Sequence, residues 1–160
     1  MEHHTMIDGE HSPKELGKFA GIIIGITLLS ILIGRGLEGF MGVFFLVFAG
    51  FKFAGYAMFT EMFPTYDIVA ARWHAYAKLY PFIELALGLL YLINAIPFIR
   101  DVFTLIIMAI SSVGVARELK RRRGIHCACL GNIIKLPLST VSLVENVGMG
   151  LMAVYMLLRV

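Results

Sequence analysis

Apolar positions in this chain come in long unbroken runs, with neither the one-sided period of a surface helix nor the alternation of a half-buried strand. Runs at 17–34, 40–63, 75–98, 102–116 and 138–158 lie near the roughly 17–25 residues that cross a bilayer as a helix. The first is dominated by Ile and Leu, and the second is rich in Phe and Gly. The run at 102–116 is short and needs flanking residues to span. Each run predicts a helix, because an open sheet leaves backbone groups unsatisfied in lipid. The tail before the first run has mixed charge, and no small-x-small cleavage site follows that run, so it reads as a retained span and not a signal peptide. The expected architecture is all-α: a His-bearing tail over 1–16, then one integral membrane helical bundle over 17–160.

Composition agrees. Of 160 residues, 59% are hydrophobic and 16% charged, against about a quarter charged in a soluble domain. Mean hydropathy is +0.82 and the isoelectric point is about 9.0. The basic residues cluster at run ends, so lipid headgroups and the positive-inside rule account for them better than nucleic acid does. Arg117, Lys120, Arg121, Arg122, Arg123 and Lys135 all fall between the last two runs, which makes that loop cytoplasmic. Counting back puts the 62–74 loop, with Arg72, and the tail, with Lys14 and Lys18, inside as well. The Arg35–Gly39 turn, the Ile99–Asp101 turn and the C-terminal Arg159-Val160 then face outward. The expected location is the inner (plasma) membrane of a prokaryote.

The chemistry concentrates in Arg121-Arg122-Arg123-Gly124-Ile125-His126-Cys127-Ala128-Cys129-Leu130-Gly131, which holds the only two cysteines. Thiols here offer soft-metal binding or thiol–disulfide exchange. With the expected topology all the histidines, His3, His4, His11, His74 and His126, share the cytoplasmic side with the thiols and Met6. Thiolate, imidazole and thioether are ligands that Cu(I) prefers, and neighbouring arginines favour the thiolate. His3 and His4 read better as solvated tail residues, and His74 as a headgroup residue. Two thiols do not complete a structural zinc shell. A metal at Cys127 and Cys129 needs His126 and a further ligand or second subunit, which suits transfer better than storage. A Cys-x-Cys disulfide is strained but feasible, and a reducing cytosol favours free thiols or a bound metal over a permanent bridge.

Ionisable residues inside a bilayer are costly and mark candidate sites. Lys52, Glu84 and Glu145, the last beside Asn146, interrupt three of the runs. At about 1.5 Å per residue each falls roughly 10–15 Å below the cytoplasmic surface. Lys52 can pair with either carboxylate, leaving one negative charge for a proton or a cation. A structural ion pair that fixes helix register and a polar site that accepts an ion both remain open. Pro81 leaves a backbone carbonyl without its helical donor. Gly42, Gly50, Gly55, Gly88, Gly148 and Gly150 are expected to permit close helix approach. Met149, Met152 and Met156 recur at helical spacing, which suits packing. Trp73, Tyr76 and Tyr80 resemble an interfacial belt, and Tyr66 and Asp67 receive no role. The sequence contains no Ser/His/Asp arrangement, phosphate-binding loop or internal repeat.

Over about residues 40–160 the chain resembles the MauE/DoxX redox-associated membrane proteins. The marks are Ala49-Gly50-Phe51-Lys52-Phe53, Tyr80-Pro81-Phe82-Ile83-Glu84-Leu85-Ala86-Leu87-Gly88, the basic end of the next run, Cys127-Ala128-Cys129-Leu130-Gly131 and Leu138-Ser139. The resemblance implies a four-helix core, here with one added N-terminal span, and a link to thiol–disulfide maturation of partner proteins. It makes Cys127 and Cys129 the active or ligand cysteines. Leu130 stands where the family often has Phe. The added span with its His-bearing tail shifts the expectation toward metal handling, as in relatives linked to heavy-metal detoxification.

Three functions follow. The first binds Cu(I) or Hg(II), copper foremost, at His126, Cys127 and Cys129 and moves it past a Lys52/Glu84/Glu145/Asn146 layer, with a metallochaperone as partner. The second is a thiol–disulfide oxidoreductase in which Cys127 and Cys129 are catalytic and a quinone or a second protein takes the electrons. The third is a structural subunit without a cofactor. A homo-oligomer is compatible with each.

Overall fold

The computed structural model describes residues 13–121 and 140–159. Among these the chain forms α1 (Pro13–Ile33), α2 (Gly36–Ala54), α3 (Tyr56–Met62), a 3₁₀ turn (Phe63–Thr65), α4 (Ile68–Arg72), α5 (His74–Ile93), α6 (Pro97–Arg121) and α7 (Thr140–Leu157). Helices α2 and α5 and the Pro97–Lys120 stretch of α6 are long and apolar enough to cross a membrane. The apolar part of α1, Gly17–Ile33, is shorter, and α7 has 18 residues. Large apolar side chains such as Leu28, Leu32, Phe103 and Leu151 point outward, a surface that lipid solvates and water does not. The chain is an all-α membrane helical bundle.

Several run boundaries move. The run at 40–63 is not one helix: α2 ends at Ala54, Gly55 stands between, and α3 and the 3₁₀ turn follow. The run at 75–98 ends early, at Asn94 in the left-handed conformation with φ 53°, a frequent way to close a helix. The run at 102–116 is not short. Pro97, suited to a first helical turn, opens a 25-residue helix. The Ile99–Asp101 stretch expected in an outward turn therefore lies inside α6, with Arg100 and Asp101 completely buried.

The bundle is two tightly packed helix pairs, α2 with α5 and α6 with α7, with α1 lying on the outside of α2. Small residues set the first crossing. A Cβ on Gly42 would meet Leu92 Cδ2 at 2.8 Å, and one on Gly88 would meet Leu46 Cγ at 2.9 Å. Gly50 and Gly148, by contrast, face open space, so the expectation of close approach fails there. Gly114, on α6, receives the connector between α3 and α4: a Cβ would lie 2.5 Å from the Tyr66 carbonyl oxygen. Met149 and Met156 are buried core residues.

Backbone cannot yield as a flexible side chain can, so Gly114→Ala should lower stability by about 1–3 kcal/mol. Gly50→Ala should be neutral or stabilising by up to about 1 kcal/mol, since the native glycine only adds chain entropy there. Thermal unfolding of the two variants in one detergent tests the contrast; equal melting temperatures would contradict it.

Candidate functional site

Lys52 lies in the last turn of α2, and its Nζ donates to Glu84 Oε2 of α5 at 2.6 Å. Both residues are buried, Lys52 3% and Glu84 4% exposed. Rings surround the ammonium: Tyr80 at 5.5 Å, Phe48 at 5.6 Å and Phe59 at 5.8 Å from Nζ to centroid. These distances are within cation–π range. Phe59 comes from α3, which begins after Gly55. Phe59 and Phe63 stack on each other and against Tyr80, with centroids 4.8, 5.9 and 4.6 Å apart. Tyr80 is therefore a wall of the site and not part of an interfacial belt, while Trp73 remains exposed. Near Pro81, the Lys78 carbonyl accepts from the Tyr56 hydroxyl at 3.0 Å.

The pair opens onto a cavity of about 30 Å³ between the two helix pairs. Its polar lining is Lys52 and Glu84 from α2 and α5, Tyr66 from the connector, Ser111 from α6, and Glu145 and Asn146 from α7. The structure thus brings together the intramembrane residues singled out from sequence. Ser111 lies ten residues before Arg121 and Glu145 five after Thr140, about 15 and 8 Å along their helices. The cavity sits in the half of the bundle to which residues 122–139 attach. Cys127, Cys129 and His126 lie outside the described residues, as do His3, His4 and His11. His74 is exposed at the start of α5. Among the described residues no group of three or more His, Cys, Asp or Glu is placed to hold a metal ion.

Sequence reasoning passed over several residues here. Asp67 caps α4: its Oδ1 accepts from the backbone N–H groups of Val69 and Ala70, both at 2.9 Å. An Asp directly before an apolar helical stretch is the signal that would have found it. Burial pushes the Asp67 carboxyl above its ordinary range, against the pull of the two N–H groups. Tyr66 and Ser111 line the cavity without being charged, so no cost of burial flagged them.

At the opposite end, Arg100 Nε donates to Asp101 Oδ1 at 2.9 Å and Nη1 to Asn94 Oδ1 at 3.1 Å. Its guanidinium lies 4.1 Å from the centroid of the Tyr91 ring. The Tyr91 hydroxyl donates to Thr104 Oγ1 at 3.1 Å, and Glu38 Oε1 is 3.9 Å from Arg100 Nη2. This network ties α2 and α5 to α6. Proline at the start of a helix, followed by a charged pair in its first turns, was the available signal.

Removing one partner of a buried ion pair strands the other. Lys52→Ala should cost about 3–5 kcal/mol, and the double apolar replacement Lys52→Met with Glu84→Leu should recover most of it. Unfolding of the singles and the double in a thermodynamic cycle tests this; strict additivity would contradict it. Asp67 has a folded-state pKa above its unfolded value, so its ionisation weighs against folding as pH rises through the folded pKa. Asp67→Asn keeps the cap and removes the charge. The variant should match or exceed the native stability near neutral pH, and the advantage should vanish below about pH 4. Asp67→Ala should lose about 1 kcal/mol with the cap. Melting temperatures across pH check both.

No curated protein and no solved structure matches the chain significantly. Over residues 27–159 it matches the family described as Methylamine utilisation protein MauE. That stretch takes in the end of α1 and every later helix, including both polar clusters and the cysteine pair. By this match over most of its length, the chain belongs to the MauE family of membrane proteins.

Proposed function

We propose that this chain is a membrane-embedded thiol–disulfide exchange protein that supports maturation of a partner, with Cys127 and Cys129 as the reacting thiols. Membership of the MauE family carries the reading. It is supported by the position of the only two cysteines, one residue apart and beginning four residues after a run of arginines. The family favours exchange over capture and movement of Cu(I) or Hg(II), and the cysteine pair needs no further ligand to perform it.

Arginines near a thiol favour its thiolate form, and Arg121, Arg122 and Arg123 are close to the pair in sequence. A thiolate of the pair attacks one sulfur of a partner disulfide. The partner S–S bond breaks, a mixed disulfide forms and one partner sulfur leaves as thiolate. The second cysteine then attacks the mixed disulfide at the chain's own sulfur, closing the Cys127–Cys129 bond and releasing the second partner sulfur. Two electrons pass from chain to partner, and two protons follow them. The ring across one residue is strained, and strained disulfides are the easily reduced ones. A dithiol of low potential restores the starting state, and the same steps run backwards when the partner couple is the more reducing. The positive-inside rule, applied to the basic residues around this loop, supports a cytoplasmic side for it.

The purified protein in nanodiscs, equilibrated across dithiothreitol redox buffers and alkylated, tests the reading. One two-electron transition is expected, at a potential less negative than about −300 mV, as for labile disulfides. Cys127→Ser and Cys129→Ser should each abolish it and leave a single thiol that forms a mixed disulfide with glutathione. Thiols that never close into a bridge would overturn the reading, as would stoichiometric copper bound through both sulfurs.

A further inference from the structure

A second polar pocket, of about 220 Å³, opens between α4 and α6. Arg72, the last residue of α4, and Arg117, near the end of α6, both line it. The connector brings these two elements together: the Tyr66 carbonyl packs on Gly114, and the Asp67 cap starts α4 beside it. Both arginines are exposed, and neither makes an ion pair among the described residues. Arg100 differs, with Asp101 Oδ1 at 2.9 Å from its Nε. Asp67 and Glu118 also line the pocket, but they are only 1% and 4% exposed. The acids lie in the wall, and the face open to a ligand is cationic.

The depth of the pocket narrows the ligand. Helix α5 begins two residues after Arg72 and has 20 residues, and Arg117 stands 20 residues after Pro97, the first residue of α6. Each stretch measures about 30 Å at about 1.5 Å per residue, the thickness of a bilayer's hydrocarbon core. Both arginines therefore stand at one boundary of the membrane, at the level of lipid phosphates. Trp73, 60% exposed beside Arg72, suits that level. Ile68 and Ala71 give the pocket an apolar edge.

Guanidinium groups match phosphate oxygens in charge and geometry. A phosphate monoester carries about 1.5–2 negative charges near neutral pH, which the acids in the wall oppose, whereas a phosphodiester carries one. A choline or ethanolamine head group would set its own cation beside the arginines. We propose that this pocket binds the phosphodiester of an anionic phospholipid, held between Arg72 and Arg117, with the acyl chains in the bilayer. The site is distinct from the Lys52–Glu84 cavity and does not depend on the thiol chemistry.

Native mass spectrometry of the chain in a non-ionic detergent, titrated with phosphatidylglycerol or phosphatidylcholine, tests the proposal. One phosphatidylglycerol should be retained in preference to phosphatidylcholine, and inorganic phosphate at millimolar concentration should not displace it. Arg72→Gln and Arg117→Gln should each weaken retention about fivefold, the worth of one basic residue at a membrane surface. Lys120→Gln, which removes an exposed cation from the same end of α6 outside the pocket, should leave retention unchanged. Arg72→Lys and Arg117→Lys keep the charge and should fall between, which preserves the test if a Gln variant fails to fold. Equal retention of the two lipids, or equal loss in Lys120→Gln, would overturn the site. Displacement by inorganic phosphate would overturn the lipid as its ligand.

Discussion

A lysine ammonium inside a bilayer is the constraint around which one half of this bundle is arranged. Lys52 holds Glu84 at 2.6 Å, and that distance fixes the register of α2 against α5. It also requires that the two helices come close, which the mutual approach at Gly42 and Gly88 allows. The ammonium needs further stabilisation on its open faces, and Phe48, Phe59 and Tyr80 supply it. Phe59 comes from the short helix that follows Gly55. Charge and helix crossing are thus tied to a single buried cation.

The far end repeats the solution with arginine. Arg100 pairs with its neighbour Asp101 and lies over the face of Tyr91, a stacking that guanidinium suits better than ammonium does. Lys52 joins α2 to α5, whereas Arg100 reaches from α6 to Asn94 and Glu38. At the near end the connector packs its backbone on Gly114, and at the far end the arginine network closes the gap. Beside that network an apolar groove between α5 and α6 is lined by Ile83, Leu90 and Phe103.

What could be read from the chain follows from the cost of each feature. Lys52, Glu84 and Glu145 stood out because charge in hydrocarbon is costly anywhere, and counting residues from one membrane face put them at one depth before any helix was placed. Arg100 and Asp101 carry the same cost, yet the hydropathy run was cut where they begin, so a buried pair was taken for an outward turn. Gly55 gave no warning, since glycine is common in membrane helices that continue unbroken. Tyr80 was set in a belt because an aromatic near a span end suits an interface, and nothing local reveals that a cation lies beneath its ring. Ser111 and Tyr66 were invisible for the opposite reason: neutral polar groups are tolerated too often to signal a site.

The cavity is built from both halves. Lys52 and Glu84 come from the α2/α5 pair, while Ser111, Glu145 and Asn146 come from α6 and α7, the helices that flank residues 122–139. Its electrostatics therefore depend on the spacing between the halves. For unit charges about 4 Å apart at an effective dielectric of about 20, one further ångström weakens their interaction by about 0.8 kcal/mol. A displacement of that size is small for packed helices, yet its energy already exceeds the thermal energy of about 0.6 kcal/mol. The close contacts at the two ends hold that spacing. A site of one water's size can keep a defined charge only if its walls do not drift. The Gly114 contact and the Arg100 network are therefore as much a part of the site as the residues that line it.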